Sequence, residues 1–466
     1  MNPRVDAGVR QLFLDDDMIE RASGLARTAH VARAHPASPV FRGDMPWEQR
    51  VSPATILRDP ASGEFRMWYS TVLAGGRELW EVGGIRVPAY PGVQSVILTC
   101  YAESEDGLYW IRPALRQLTF EGSLENNIID KHDQEQQYIG QGTFIYHDER
   151  EPDASRRYKF FHWGRRDPDK VHLLTSADGI SFQDYPGNPI IRGDVYDSSI
   201  EPVWSPEVGK YLSFGRYGYG RTIALRTSDD LIHWSAPRQV LKPDRDEWPE
   251  GADWPHKQFY HMSVHRYEGQ FVGLLNDFYM LQPPSSGELE ISLASSRDGI
   301  TWQRVANREP IIRRSEEEKH IRTPGVMIVQ GDEIWIYYSS SPYWHGPVQG
   351  LDPVHAGRSW RIRLATLRRD GFVSLFGDDG WLQTPVFAAP PGLLHVNADV
   401  TSGQLVVEVL DRSARSLGAS DPLRGNWLDG RLQWRGAPPW QAGNPIALRF
   451  HLKRGRLFSY WFPTET

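Results

Sequence analysis

The sequence has a single cysteine among 466 residues, so it cannot build an internal disulfide. Cys100 lies in the apolar run SVILTCYAES and reads as a buried, inert thiol of a reducing compartment. Long apolar runs are missing too. No stretch approaches the ~20 apolar residues of a membrane span, and the opening MNPRVDAGVRQLF lacks the basic-then-apolar run of a secretory signal. A cytoplasmic protein without membrane contact is expected. Positive charge is in deficit: 52 Lys and Arg against 59 Asp and Glu give a formal net charge of -7, which argues against nucleic acid as a partner. His162, His261, His320 and His345 are scattered without a tight ligand spacing such as HxxxH, so no metal is expected. The glycines of GRYGYGR fall between two strands instead of opening a helix, which removes the usual phosphate loop, and no cofactor is expected.

What is abundant is aromatic side chains and turn formers: 18 Trp, 19 Tyr, 42 Gly and 34 Pro, the mixture of many short strands. The string SEDGLYW at 104–110 returns as SADGISF, SDDLIHW and SRDGITW, with a worn copy, RRDGFVS, at 368–374. The five aspartates, Asp106, Asp178, Asp230, Asp298 and Asp370, are separated by 72, 52, 68 and 72 residues, room for one four-stranded antiparallel sheet per repeat. Two alternating apolar strands around a turn precede each mark, as in ILRDPASGEFRMWYS and VWSPEVGKYLSF. In each mark the aspartate caps a tight turn, the glycine accepts positive φ, and the tryptophan packs between neighbouring sheets.

This predicts an all-β chain: a five-bladed β-propeller over 46–379, a C-terminal β-sandwich over 380–466, and an N-terminal lead-in over 1–45 that packs on the propeller. The Asp-Gly marks are turns between third and fourth strands, so they share a face with the short first-to-second turns. The opposite face collects the starts of the first strands and the long, aromatic second-to-third loops, and a site belongs there.

On that face the loops supply Trp163, Arg216, Tyr217, Asp277 and Trp344, and the first-strand starts supply Tyr260, His261, His320 and Arg322. These residue types stack on sugar rings and pair with hydroxyls or carboxylates, so they are the candidate saccharide-binding set. Carboxylates at the first-strand starts include Glu48, Glu135, Asp197, Glu201 and Asp253, with Asp15 and Asp16 of LFLDDDMIE as rivals. At period two Asp197 and Glu201 share one face of their strand. A carboxylate pair roughly 5–9.5 Å apart is what glycosidic cleavage needs, and Asp197, Glu201 and Glu48 are the catalytic candidates.

Together QLFLDDDMIE, ILRDPASGEFRMWYS, SEDGLYW, VWSPEVGKYLSF and IRLATLRRDGFVSL resemble bacterial glycosyl-hydrolase-like propeller proteins related to glycoside hydrolase families 32 and 43. The resemblance implies a funnel-shaped site worked by carboxylates. In IEPVWSPEVGKYL, Glu201 is similar to the general acid of family 43. That family's aspartate before proline in the first blade is Ser52 before Pro53 here, and the second blade offers Gly140–Gly142 where an aspartate is usual, so the triad is not reproduced. The marks also resemble the Asp-boxes of sialidases, although here Gly directly follows Asp. The function expected is an exo-acting glycoside hydrolase on a small or chain-end saccharide. A non-catalytic carbohydrate-binding propeller and a sugar phosphorylase are the alternatives, and a homo-oligomer is left open.

Overall fold

The computed structural model describes residues 4–73, 79–88, 96–130, 140–164, 167–193, 200–218, 220–247, 256–282, 286–322, 327–346 and 353–464. Antiparallel meanders follow one another along the chain. The first comprises Arg50–Arg58, Phe65–Leu73 and Val96–Ser104, and the second Gly140–His147, Tyr158–Gly164, Asp167–Ser176 and Gln183–Asp184. The third comprises Pro202–Ser205, Lys210–Tyr217, Thr222–Ser228 and Arg238–Leu241, and the fourth Lys257–Tyr267, Gln270–Gln282, Ser286–Ser296 and Gln303–Arg304. The fifth comprises Met327–Gln330, Glu333–Ser341 and Arg361–Arg368, and the strand His320–Arg322 joins it to the fourth. Among the described residues no helix is long and apolar enough to cross a membrane.

Each meander buries apolar side chains against the next. Trp68 and Tyr101 of the first pack with Ile145 and Phe160 of the second. Phe161 and Val171 of the second meet Ile200 and Tyr211 at the third. Leu212 and Phe214 of the third meet Phe259 and Met262 of the fourth, and Leu274 and Ile291 of the fourth meet Ile334 and Ile336 of the fifth. Trp335 and Tyr337 of the fifth then return to Ile56 and Phe65 of the first, so the sheets close into a ring, a β-propeller. The lead-in fastens that closure. Arg33–Ala34 and Phe41–Arg42 pair with Arg361–Arg368 as outer strands of the fifth meander, and Phe41 enters the interface with the first. Each large side chain removed from water contributes about 1.5–3 kcal/mol.

Four of the repeated aspartates cap their turns alike. Asp106 Oδ1 accepts the N–H groups of Leu108 (2.8 Å) and Tyr109 (2.9 Å), and the Ser104 hydroxyl accepts the Gly107 N–H at 2.9 Å. Asp178, Asp230 and Asp298 repeat the pattern. The turn requires a left-handed residue: Gly107 has φ 75°, and in the third copy Leu231 adopts φ 66° and compensates by burying its side chain. Gly107 also approaches its neighbour closely, since a Cβ there would lie 2.5 Å from the Tyr337 hydroxyl and 3.1 Å from Phe65 and Trp335. Gly107→Ala combines backbone strain with overpacking between the first and fifth meanders. It should cost about 2 kcal/mol in urea unfolding, and an unchanged midpoint would refute the tight fit.

The same turns predict an acid limit. Burial pushes the Asp230 carboxyl up, but the N–H and imidazole of His233, the Ile232 N–H and the Ser228 hydroxyl outweigh it and hold it at about 2. The carboxyls of Asp106, Asp178 and Asp298 are likewise lowered, burial being outweighed by backbone N–H and serine donors. A carboxyl depressed by folding stabilises the fold above its unfolded value, ~3.9, and that contribution fades as pH falls through the folded value. The urea midpoint should therefore drop between about pH 4 and about pH 2, and replacing all four by Asn should flatten that slope.

Beyond the ring, Val373–Gln383, His395–Leu410 and Pro445–Trp461 are the long strands of a nine-stranded sheet around Leu405, Val407, Leu448, Phe450 and Tyr460. The first of these strands crosses residue 379, so the sheet begins inside the stretch read as propeller from the sequence. The lead-in also divides its pairing: Gln11–Leu12, Arg21–Ser23 and Ala26–Ala29 pair with this sheet, while Arg33–Ala34 and Phe41–Arg42 pair with the ring.

Candidate active site

The inner strands bring their starts together at the end of the ring opposite the Asp-Gly turns. Tyr260 sits at a register shift between Phe259 and His261, where its strand bulges against Asn276 and Asp277. A bulge breaks the alternation of faces, so consecutive residues both serve one cluster. The Tyr260 hydroxyl and His345 Nε2 are 2.9 Å apart, and the rings meet edge to face at 4.9 Å. The Arg216 and Arg322 guanidiniums lie 4.6 and 5.4 Å from the centroid of the Tyr260 ring. His345 is pinned by paired backbone bonds to Gly287, of 2.8 and 3.0 Å.

From His345 the cluster runs to His320 (centroids 5.2 Å) and on to Trp360 (4.6 Å), over which Arg50 stacks at 4.2 Å. Burial, together with His345, Arg50 and Arg322, depresses His320 well below the ordinary histidine value, so it is neutral at pH 7. Residues from the first, third, fourth and fifth meanders thus share one aromatic and cationic surface.

Glu201 is the carboxyl group beside this cluster. It is 9% exposed, its N–H donates to the Ser213 hydroxyl at 3.0 Å, and its Oε2 lies 3.1 Å from His261 Nε2. His265, two positions beyond Ser263 on the same strand face, is lowered to about 4 by burial, against the pull of Glu201, and stays neutral beside the carboxylate. This is a carboxyl group in a protected corner, within hydrogen-bond reach of a histidine.

Of the residues expected from the sequence, the cluster contains Glu201, Arg216, Tyr260, His261, His320 and Arg322. Tyr217 ends the strand that carries Arg216 and is half-buried, and Trp344, 38% exposed, precedes His345. Trp163 is described through its backbone, which pairs with Val171. Asp197, Glu135 and Asp253 lie outside the described residues.

Glu48 and Asp277 serve the scaffold. Glu48 is fully buried and accepts five hydrogen bonds: from the Tyr69 hydroxyl, from Arg112 Nε (2.8 Å) and Nη2 (3.0 Å), and from the N–H groups of Asp44 and Met45. No oxygen is left for substrate. Asp277 is fully buried 3.0 Å from Lys257 and 3.8 Å from Arg304, and burial pushes its carboxyl up despite both cations. The rival Asp15 is held by Arg297 through two bonds of 2.7 and 2.8 Å, which tie the lead-in to the fourth meander.

Arg50, His345 and Trp360 were not in the expected set. Arg50 stands two residues after Glu48 at the same strand start, and Trp360 directly precedes the strand Arg361–Arg368, so position was their one sequence signal. Among the described residues no group of three or more His, Cys, Asp or Glu is placed to hold a metal ion.

No family profile and no curated protein matches the sequence. Among solved structures, the chain is similar to one described under the GH130 family of mannoside phosphorylases, which contains glycoside hydrolases that target β-1,2-mannosidic linkages in Candida mannan. That similarity covers 73% of this chain and 94% of the other at 15% identity, with a TM-score of 0.47. A β-1,2-mannobiose phosphorylase from Listeria innocua, solved with β-1,2-mannobiose, is similar over 74% of this chain and 97% of its own at 12% identity, with a TM-score of 0.46. A family 43 arabinoxylan arabinofuranohydrolase from Bacillus subtilis, solved with cellotetraose, is similar over 93% of this chain and 99% of its own at 11% identity, with a TM-score of 0.40.

Proposed function

We propose that this protein is a glycoside hydrolase whose general acid is Glu201. The observation that carries the reading is the buried Glu201–His261 pair set beside a surface of Tyr260, His345 and Trp360 with three arginines. Aromatic faces suit the C–H faces of a sugar ring, and guanidinium donors suit its oxygens. In the reaction Glu201 gives its proton to the glycosidic oxygen as the bond to the anomeric carbon breaks. A second carboxylate, for which Asp197 is the candidate, either takes a proton from the water that adds to that carbon, or attacks the carbon to form an ester that water, deprotonated by Glu201, then displaces. The closed ring leaves this surface at one end, which favours a chain end or a small saccharide over the middle of a long polymer.

The test is turnover of a panel of aryl glycosides and oligosaccharides, followed by released aglycone and reducing sugar. Product formation that Glu201→Gln abolishes supports the reading. Measurable sugar binding with no turnover on any member would overturn it in favour of a binding propeller.

A further inference from the structure

Among the described residues two arginines of the cluster have no counter-charge. Elsewhere Arg10 meets Asp370, Arg112 meets Glu48, Arg297 meets Asp15 and Arg304 meets Glu247, and the half-buried Arg66, Arg361 and Arg368, with no carboxylate bonded, donate to neutral oxygens. Among the described residues Arg50 and Arg322 meet no carboxylate and donate no side-chain hydrogen bond. Each is held by an aromatic face instead, Arg50 at 4.2 Å over Trp360 and Arg322 at 5.4 Å from Tyr260. Aromatic stacking engages the plane of a guanidinium and leaves the N–H groups at its rim to bond something else.

The two cations also repel each other. Burial, then the charge of Arg322, lowers Arg50 to about 10, with Tyr260 opposing. Beside them the buried His320 has an Nε2 without a hydrogen-bond partner among the described residues. Like charges side by side and a buried ring nitrogen without a partner among the described residues cost stability, and one anion would offset the repulsion and accept a hydrogen bond from that nitrogen in its Nε2–H tautomer.

We propose that Arg50 and Arg322, with His320 beside them, form a subsite for an oxyanion presented to the saccharide site. The shared chemistry is a planar or tetrahedral group of oxygens that two guanidinium forks can bond. It has two sources: the carboxylate of a uronic acid unit, or inorganic phosphate binding next to the sugar. This inference rests on the saccharide reading above for its location, and the experiment separates the two.

Calorimetric titration of the full chain with inorganic phosphate, glucuronate, galacturonate, glucose and galactose is repeated for Arg50→Gln, Arg322→Gln and Arg50→Lys, each checked for folding by circular dichroism. The expected result is binding of phosphate or of a uronate that weakens by about tenfold or more in each Gln variant and recovers in part in the Lys variant. Binding of the neutral sugars should weaken several-fold less than binding of the anion. Phosphate without uronate names a phosphate site, and uronate without phosphate names an acidic sugar. Neutral sugar binding with no anion binding, or anion binding that the substitutions leave alone, overturns the subsite and keeps the saccharide reading. Arginine-dependent phosphate binding with no sugar of any kind keeps the subsite and overturns the saccharide reading. No binding of any probe overturns both.

Discussion

Glu201→Gln should lower kcat by about 10²–10⁴-fold on a glycoside with an ordinary alcohol leaving group, while KM changes far less. The amide preserves the shape of the side chain, and it can still meet His261 Nε2, 3.1 Å away in the native protein, as well as donate the backbone bond to Ser213. It cannot deliver a proton to a departing oxygen. The size of the loss therefore reads the role. An acidic leaving group such as dinitrophenolate needs no protonation, so the deficit should shrink sharply on that substrate if Glu201 is the acid and persist if it is base or nucleophile. His261 is a positioning residue in this scheme. His261→Gln should reduce kcat by less than Glu201→Gln and shift the pH profile, which a purely structural role would leave in place. Full activity of folded Glu201→Gln on every substrate would sink the assignment.

Much of this architecture is written locally. Asp106, Asp178, Asp230 and Asp298 cap their own turns within three residues, so their meaning does not depend on anything far away in the chain. Counting them pointed to the face of the candidate site, because strand alternation fixes which ends face which way. What stayed hidden depends on partners distant in sequence. Nothing in PWEQ shows that Glu48 will meet Arg112, 64 residues on, and be consumed by it. Arg50 and Trp360 stack only because the ring closes the fifth meander on the first. The clasp is hidden for a different reason: Arg33–Ala34 and Phe41–Arg42 are two-residue pairings, too short for any periodicity to appear.

The worn fifth copy of the repeat carries the other large effect: Asp370→Asn should destabilise the protein by about 3–5 kcal/mol, because it leaves a buried cation unpaired. Asp370 keeps the aspartate of the mark but caps no turn of the Asp106 kind. Its side chain is fully buried and joins three parts of the chain. Arg10 Nη1 of the lead-in donates to Oδ2 at 2.8 Å, Tyr267 of the fourth meander to Oδ1 at 2.6 Å, and Asn397 and Ser459 of the C-terminal sheet to Oδ2 at 3.1 and 2.5 Å. Arg10 is fixed in turn by the Trp461 ring, 3.6 Å from its Cζ, and with its side chain 10% exposed it gains little water if the carboxylate goes. The asparagine keeps the volume but removes the negative charge opposite Arg10 and turns one of the two acceptor oxygens into a donor. Pairing it with Arg10→Met removes the stranded charge, so the double variant should be more stable than Asp370→Asn alone. Urea unfolding of the two single variants and the double completes the cycle. A coupling near zero would mean that the Arg10–Asp370 pair itself adds nothing to the junction of ring, lead-in and C-terminal sheet.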